Sequence, residues 1–544
     1  MKIIGVIEAD LEKSPIGTRS RLADELLGEA VLRRTVRRGA RSARLAGLHV
    51  VVPPSQRAAI DDLLHGLPVR VETCDAPPPA WQALVRSARK WALGGWRGGI
   101  WGACWFDEQM HLPMLEALAS RESADAVAVI PAAGCLIDPA LLEAMIDHQA
   151  RFVDSQPFVF TQAPPGLAGC LLTTPFLADL ARAGHPLGRL FTYRPQNPAL
   201  DLISKECCYQ SPNHVACASA RLLADNRRSV ELIGACLAEL GHGDGANSSA
   251  VCRWLAERSR EGVDRLPAEI EVELTTRDQL PETLLRPRGR LVGERGDLDL
   301  RLLEKLVEGL EGYDDVNLVF GGFGEPLLHP EFGRSLSIAR ESHVLGLGVC
   351  TNALALDRRA CELIVRCGVD CLAVSLDAND AHTYRRLHGC DGYQRAVANV
   401  EELIRTQNEL LSPLPLIVPQ LVKVRENMSH MEAFFDGWLR KTGWATITSF
   451  NHGAGQRPSL AVRSMAPPSR TPCARLWSRC LVLADGTVVA CDQDFAARGP
   501  LGNLHEIPLA EIWGSRLEGL RVAHRSGRYD AHPLCPTCDE WHRP

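Results

Sequence analysis

Residues 1–240 alternate between short apolar runs and longer segments with apolar residues at helical spacing. The runs KIIGVIE, LHVVVPP, VRVETC, GGIWGACWF and ADAVAVIPA are typical of buried strands, and ADELLGEAVLRRTVRRGARSA is typical of a helix between two of them. Because parallel strands need crossover helices that cover both faces, this alternation predicts an α/β domain with a parallel sheet.

A polar, Gly-rich stretch, GHGDGANSSA, follows and predicts a linker over residues 241–268. Six strand-like runs, from EIEVELTT to ATITSF, then alternate with helical patterns over residues 269–462. Six βα units are too few for a closed eight-stranded barrel. We therefore predict an open, partial (β/α)6 barrel with ligands at the carboxyl ends of its strands.

The pattern changes again in the tail, residues 463–544. The segment CLVLADGTVVAC places Asp485 and Gly486 between two β-rich runs, which predicts a hairpin. The segment PLAEIWGSRLEGLRVAHRSG predicts one amphipathic helix. A small domain is therefore expected after the barrel.

Composition narrows the class of protein and of partner. The chain has 544 residues, of which 46% are hydrophobic and 23% charged, so several globular domains are expected. A net charge of −6 gives no support for nucleic acid or an anionic membrane as a partner. No run approaches the ~20 apolar residues of a membrane span, and we expect a cytoplasmic protein. The substrate, a small molecule or a peptide, and the oligomeric state are left open.

The tail is also rich in cysteine. Most of the 19 cysteines are expected to be buried, reduced thiols. Four surround the predicted hairpin and helix, namely Cys473, Cys491, Cys535 and Cys538. Four thiolates suit either tetrahedral zinc or an iron–sulfur cluster, and spacing alone does not choose between them. Cys480 is an additional thiol, either a buried residue or a substitute ligand.

The order of these cysteines resembles a known domain. Twelve residues separate Cys473 from Gly486, four separate Gly486 from Cys491, and a distant CxxC follows. This order resembles the SPASM/twitch domain of radical S-adenosylmethionine (radical SAM) enzymes, and GPLGNLHEIPLAEIW is similar to the GN…IW segment of that family. The resemblance implies one auxiliary [4Fe–4S] cluster on the four tail cysteines, with zinc as the alternative.

The barrel segments extend the resemblance. NLVFGGFGEPLLHPEF resembles the GGEP motif of radical SAM enzymes, and VCTNA resembles their TNG segment with Ala353 in place of glycine. LAVSLDANDAHTYRRLHG resembles the fourth strand. The resemblance implies a radical SAM-like barrel in which four residues would bind S-adenosylmethionine (SAM), namely Gly322, Gly324, Glu325 and Ser375.

The three cysteines that hold the SAM-cleaving cluster in this family are missing. The first strand leads into TTRDQLPETLLRPRG, and the expected ligand positions are Asp278, Glu282 and Leu285. Carboxylates hold a low-potential cluster poorly, and leucine has no ligand atom. The two carboxylates are either solvated loop charges or a hard-metal site. We therefore do not expect the usual radical SAM reaction, and no catalytic residue is assigned.

The amino-terminal half has a resemblance of its own. IGTRSRLADELLGEAVLRRTVRR is similar to the phosphate loop of cytidylyltransferase-type nucleotidyltransferases, which implies a Rossmannoid, nucleotidyltransferase-like fold. Gly17, Arg19 and Arg21 keep the pattern. Asp24 and Glu25 stand where a phosphate-binding lysine is expected, and their charges would repel a triphosphate.

Asp107 and Asp225 are candidate Mg²⁺ ligands of this half, although isolated aspartates are commonly helix caps or surface residues.

A nucleotidyltransferase-like half joined to a radical SAM/SPASM half resembles the spiro-SPASM family. Three hypotheses follow. The chain is an iron–sulfur protein of the radical SAM/SPASM type without the SAM-cleaving cluster, or a pseudoenzyme scaffold with structural zinc, or a nucleotidyltransferase that is active through its first half.

Overall fold

The computed structural model describes residues 1–152, 155–193, 202–241, 246–258 and 265–543. The chain divides into two compact units, residues 1–259 and 260–544. Of the predicted linker, residues 242–245 and 259–264 lie outside the described residues. Between them Ser248–Arg258 is a helix, and its Val251, Cys252 and Trp254 are buried in the core of the first unit.

The first unit contains nine described strands and nine described α-helices. The strands are β1 (Ile3–Glu8), β2 (Glu25–Leu26), β3 (Glu29–Ala30), β4 (Gly47–Val52), β5 (Arg70–Thr73), β6 (Ala126–Val129), β7 (Phe158–Thr161), β8 (Cys170–Thr173) and β9 (Cys208–Tyr209). The helices are α1 (Val31–Gly39), α2 (Arg57–Leu63), α3 (Trp81–Arg89), α4 (Leu112–Arg121), α5 (Pro139–Arg151), α6 (Thr174–Ala183), α7 (Asn213–Ala216), α8 (Arg227–Leu240) and α9 (Ser248–Arg258).

Seven of these strands form one sheet in the order β5-β4-β1-β6-β8-β7-β9. Strands β5, β4, β1 and β6 are parallel, as the alternation predicts, while β8 runs antiparallel to β6 and β7. The prediction of a strand at GGIWGACWF is wrong, because Ile100–Gly102 and Trp105–Glu108 are 3₁₀ turns. Positive φ angles at Gly98, Gly99 and Gly102 turn the chain there.

The second unit continues with nine strands and nine α-helices among its described residues. The strands are β10 (Glu269–Val272), β11 (Asn317–Phe320), β12 (Gly346–Thr351), β13 (Cys371–Ser375), β14 (Leu416–Lys423), β15 (Thr446–Ser449), β16 (Arg479–Val482), β17 (Thr487–Val489) and β18 (Gly502–Asn503). The helices are α10 (Leu300–Glu308), α11 (Phe332–Glu341), α12 (Arg358–Arg366), α13 (Ala381–His388), α14 (Tyr393–Glu409), α15 (Met431–Thr442), α16 (Arg475–Ser478), α17 (Leu509–Glu511) and α18 (Glu518–Arg525).

One nine-stranded sheet holds the barrel and the tail together, in the order β15-β14-β13-β12-β11-β10-β16-β17-β18. The six strands β10–β15 are parallel, which confirms the predicted open (β/α)6 arrangement. The tail strand β16 pairs parallel with β10, with Glu269 opposite Arg479 and Val272 opposite Val482. The tail hairpin therefore extends the barrel sheet.

The hairpin lies where the sequence predicts it. Strands β16 and β17 are antiparallel, and Gly486 takes a φ of +81° in the turn between them. The predicted amphipathic helix contains a π-helical segment, Ile512–Arg516, which connects α17 to α18. Its Trp513 and Leu517 pack in the same hydrophobic core as the barrel strands.

Candidate metal centre and barrel mouth

The four predicted metal-binding cysteines of the tail line one small cavity. Cys473 precedes α16 and Cys491 follows β17, while Cys535 begins and Cys538 follows a 3₁₀ turn at residues 535–537. The hairpin turn at Gly486 brings the second of these segments back beside the first. Cys480 instead lies in β16, is 2% exposed, and packs in the hydrophobic core of the barrel. Of the two alternatives for Cys480, the structure supports the buried residue.

The four thiols are desolvated by burial, and several of them accept hydrogen bonds from backbone amides. The Glu540 amide donates to Cys538 Sγ at 3.4 Å, and backbone amides also hydrogen-bond to Cys473 and Cys491. Burial raises the pKa of Cys535 to about 12 and the pKa of Cys538 to about 11. Thiols in this environment ionise when a metal binds, because coordination requires the thiolate.

Cationic and neutral donors face the same cavity without acceptors. Arg470 stacks over the Tyr529 ring at 4.2 Å, and its Nε and Nη2 have no hydrogen-bond partner among the described residues. His524 is fully buried; its Nδ1 lies 3.4 Å from the Cys473 amide, and Nε2 has no partner in the described structure. His532 Nε2 is likewise buried and unpartnered within the described ranges. Because buried donors without acceptors are costly, this wall fits an anionic group held among the sulfurs.

The two candidate metal centres differ in the spacing of their sulfur ligands. Within the described residues, no three of the four cysteine sulfurs lie within 4.8 Å of one another. Tetrahedral zinc, with Zn–S bonds of about 2.3 Å, holds its four sulfurs roughly 3.8 Å apart. A [4Fe–4S] cube places each thiolate on a different iron and separates the sulfurs further. The four thiols as they lie do not have the sulfur spacing of a zinc site, and both the cluster and the zinc ion stay predictions for this cavity.

A second cavity, of about 340 Å³, opens at the carboxyl ends of the barrel strands. All four residues predicted to bind SAM line it, namely Gly322, Gly324, Glu325 and Ser375. Arg475 and Glu540 line both this cavity and the cysteine cavity. The two cavities therefore share a wall.

The glycines of the GGFGE loop have a packing role. Gly322 has a φ of +77°, and a Cβ there would lie 2.6 Å from the Glu273 Cβ. A Cβ on Gly324 would collide with the Thr275 carbonyl oxygen. The loop amides are already bound, since Gly322 N donates to Glu271 Oε1 at 2.7 Å and Phe323 N donates to Glu273 Oε2 at 3.0 Å. The glycines thus let the loop lie against the end of β10.

Glu325 is held by the segment that resembles TNG. Thr351 Oγ1 and the Asn352 amide each donate to its carboxylate at 2.7 Å. Burial raises the pKa of Glu325 to about 7. Ala353, in place of the usual glycine, has a φ of +63°, and Asn399 Nδ2 donates to its carbonyl oxygen at 2.7 Å. The pocket wall around Glu325 is therefore preorganised by the chain itself.

The three positions expected for a SAM-cleaving cluster do not form a ligand set. Asp278 accepts from Arg288 Nε at 2.7 Å. Glu282 is exposed. Leu285 is 2% exposed in an apolar cluster with Leu387, Val422, Val424 and Phe450. The residues present do not fit an iron–sulfur cluster at this mouth, because none offers a thiolate and one is packed as hydrophobic core.

The first unit has its own cavity, of about 370 Å³, at the carboxyl ends of β1 and β4. Arg21 and Asp225 line it. Asp24 forms an ion pair with Arg19 at 2.6 Å, so a carboxylate neutralises part of the predicted phosphate loop. Asp225 forms an ion pair with Arg221. These pairings weaken the electrostatic clamp that triphosphate chemistry needs.

Asp107, the other predicted Mg²⁺ ligand, is fully buried and does not line this cavity. Its carboxylate accepts from the Gly188 amide at 3.0 Å. Sequence reasoning also missed a buried network in which Glu108 accepts from Arg89 at 2.8 Å and from Arg221 at 2.8 Å. Charged residues on a 3₁₀ turn carry no sequence signal of burial, and only the fold brings these groups together.

One compact group of possible metal ligands within the described ranges was also not predicted. It joins His49, Glu72 and Glu122, whose ligand atoms lie within 4.8 Å of one another. Both carboxylates already have cationic partners, since Glu72 pairs with Arg121 at 2.8 Å and Glu122 pairs with Arg70 at 3.1 Å. The arrangement is thus a charge-paired cluster at the sheet edge.

Two family models match the second unit. Residues 267–417 match the Radical SAM superfamily, and residues 473–539 match SPASM, the iron–sulfur cluster-binding domain. The fold and the cysteine site therefore define a mixed α/β protein with a radical SAM barrel followed by an iron–sulfur domain. The second unit therefore contains a radical SAM domain followed by a SPASM domain, and such domains imply iron–sulfur clusters and SAM binding.

The similar proteins cover the chain only in part. An uncharacterised protein of Treponema pallidum (strain Nichols) is 26% identical over 234 residues, which are 40% of this chain and 63% of that protein. The tungsten-containing aldehyde ferredoxin oxidoreductase cofactor-modifying protein of Pyrococcus furiosus is 27% identical over 143 residues, which are 25% of this chain and 39% of that protein. The chain thus spans less than two thirds of either relative.

One solved structure is similar to about half of the chain. It is a cytidylyltransferase from Leptospira borgpetersenii, with 13% identity and a TM-score of 0.33, covering 48% of this chain and 95% of that chain. The nucleotidyltransferase-like character of the first unit stays a prediction. No helix within the described residues has the length and apolar character that crossing a membrane requires. The cytoplasmic location also stays a prediction.

Proposed function

We propose that this chain is an iron–sulfur protein with one auxiliary [4Fe–4S] cluster, held by Cys473, Cys491, Cys535 and Cys538, and without the cluster that cleaves SAM. The observation that carries the proposal is the convergence of four cysteines from three separate tail segments on one cavity. The open sulfur spacing and the unpartnered donors on the cavity wall support the same occupant.

A bound cluster would supply one-electron transfer, and the surrounding residues would set its environment. The backbone amide of Glu540 would continue to hydrogen-bond Cys538. Arg470 and His524 would orient donors toward the cluster, which favours its more negative, reduced state. Trp541, 6% exposed on the same cavity wall, would exclude water. Arg475 and Glu540 line both cavities, which supports a centre beside the barrel mouth, where we propose that a small-molecule or peptide substrate binds.

The barrel half of the proposal depends on the loop after β10. Asp278 is paired with Arg288, and Leu285 is packed as core, so the mouth offers no open iron to which SAM could attach. SAM binding without cleavage remains compatible with Glu325 and Ser375, which line the cavity.

Anaerobic purification followed by iron, sulfide and zinc analysis tests the proposal. We expect about four iron and about four sulfide atoms per chain, little zinc, and an electron paramagnetic resonance signal after reduction. Incubation with SAM and dithionite should release no 5′-deoxyadenosine. About eight iron atoms per chain together with SAM cleavage would contradict the missing barrel cluster. Colourless protein with one zinc would contradict the auxiliary cluster and support the scaffold alternative.

A further inference from the structure

Three arginines line the barrel mouth on the side where radical SAM enzymes carry their cluster loop. Arg286 and Arg288 belong to the segment after β10, next to Leu285, and Arg457 belongs to the segment after β15. Arg457 Nη2 donates to the Leu285 carbonyl oxygen at 2.7 Å, although the two residues are 172 positions apart. The segment in which the family carries its cluster thiolates thus carries arginines in this chain.

Two of the three arginines are neutralised by the chain. Arg286 forms a bidentate ion pair with Asp377, whose Oδ1 accepts from Arg286 Nη2 at 3.2 Å. Arg288 Nε donates to Asp278 at 2.7 Å. A guanidinium paired with one carboxylate in this way adds little net charge to the cavity.

Arg457 has no such partner. Its guanidinium donates to the carbonyl oxygens of Leu284, Leu285 and Asn451, and its Cζ lies 4.5 Å from the centroid of the Phe450 ring. No carboxylate within the described residues comes within 4.0 Å of it. Carbonyl groups satisfy the hydrogen bonds of a guanidinium but leave its charge uncompensated. Burial, and then the charges of Arg286 and Arg288, lower the pKa of Arg457 to about 10.

The other charged groups of the cavity do not compensate Arg457. Arg475 pairs with Asp492, and Arg543 pairs with Glu540 at 3.1 Å. Burial lowers the pKa of His388 to about 4, so this imidazole is neutral near pH 7.

Two acidic residues of the cavity have no arginine partner among the described residues, and both accept hydrogen bonds from neighbouring residues of the chain. Glu271 accepts from the Gly322 amide, and Glu325 accepts from Thr351 and Asn352. Burial raises the pKa of Glu271 and of Glu325 to about 7, so each carboxyl is partly protonated at neutral pH.

We propose that the barrel mouth binds a small oxyanion, a phosphate or carboxylate group of a soluble metabolite, with Arg457 as its charge partner and Arg288 beside it. An oxyanion would compensate the charge of Arg457, which the carbonyl oxygens of Leu284, Leu285 and Asn451 leave uncompensated although they accept its hydrogen bonds. A cavity of about 340 Å³ is large enough for a mononucleotide or a tricarboxylate. This inference rests on the proposed absence of a barrel cluster, which would occupy the same wall.

Isothermal titration of the full-length, cluster-loaded protein tests the inference with four probes: AMP, pyrophosphate, citrate and SAM. At least one of the three anions should bind, and the phosphate and carboxylate arms identify which oxyanion is preferred. Arg457→Met should weaken that binding at least about tenfold, because it removes the uncompensated charge. Arg395→Met, on the exposed face of α14, is the matched control and should leave binding unchanged.

Labelling of the wild-type protein with phenylglyoxal, read by mass spectrometry, gives a second measurement that needs no variant. The bound anion should protect Arg457 from the reagent. The inference is overturned if the wild-type protein binds none of the three anions. It is also overturned if binding survives Arg457→Met and is lost in Arg86→Met, which would place the anion in the cavity of the first unit. Iron analysis of the same samples separates the outcomes, since four iron atoms without anion binding reject this inference alone.

Discussion

Replacing Cys491 with alanine should remove the metal centre, whereas replacing Cys480 with alanine should leave it intact. Cys480 lies in β16 and Cys491 follows β17 of the same hairpin, and only Cys491 lines the cavity shared by the four thiols. Cys480 is 2% exposed among barrel side chains. The pair therefore compares a proposed ligand with a buried thiol eleven positions earlier in the chain.

The expected magnitudes differ widely. Loss of one thiolate from a four-thiolate site should lower the iron content from about four atoms per chain to below about one. Metal binding at structural sites is worth about 10 kcal/mol or more, which is comparable with the whole stability of a domain, so the tail should also lose its ordered structure. Cys480→Ala removes one buried sulfur and should cost about 1–2 kcal/mol with iron unchanged.

Iron and sulfide analysis, the visible absorbance of the cluster, and urea unfolding followed by circular dichroism measure these effects. The reasoning is refuted if Cys491→Ala keeps four iron atoms. It is equally refuted if Cys480→Ala loses as much iron as Cys491→Ala, because Cys480 would then be a ligand despite its place in the barrel core.

Three further predictions concern packing and charge. Leu285→Ala should cost about 2–4 kcal/mol in urea unfolding, because it empties an apolar cluster. Gly324→Ala should destabilise by more than about 2 kcal/mol through its clash with Thr275, whereas Gly437→Ala, in the open on α15, should stabilise by about 0.5–1 kcal/mol. Burial raises the pKa of Glu8 from 4.5 to about 8. The contribution of Glu8 to the free energy of unfolding is therefore full below pH 4.5 and declines as the pH rises to 8. In Glu8→Gln the urea midpoint of unfolding should depend less on pH over that range than it does in the wild-type protein.

The order of elements in the barrel could be predicted because each strand and helix has a local signature. Runs such as VNLVFGG and PLIVPQLVKV are apolar and rich in β-branched residues, and the structure places β11 and β14 within them. Capping adds to this signal, since Asp299, Asp357 and Asp380 begin α10, α12 and α13 with side-chain hydrogen bonds.

The strand predicted at GGIWGACWF failed for a reason that is also local. Its apolar residues have the composition of a buried strand, but Gly98, Gly99 and Gly102 allow positive φ angles that turn the chain. Trp105 and Phe106 are buried as expected, in 3₁₀ geometry. Apolar composition predicted burial correctly and secondary structure incorrectly.

The four cysteines of the candidate site could be singled out from the sequence, whereas the side chains around them could not. The spacing around Gly486 identified the four cysteines of the tail. Nothing in the sequence indicated that Arg470 and His524 face them, since both come from segments without a motif. The charges at the barrel mouth were equally hidden, because Arg457 meets Leu285 only through the closure of the barrel.

By itself the sequence determined the order of the barrel elements, the hairpin at Gly486, the four tail cysteines and the missing barrel thiols, because these depend on residue type and short-range spacing. Tertiary structure decided that Cys480 lies in the core while Cys491 lines the cavity, that Asp278 pairs with Arg288, and that Arg457 has no counter-charge. Such pairings depend on which distant segments the fold brings together, and burial then sets their energies through desolvation.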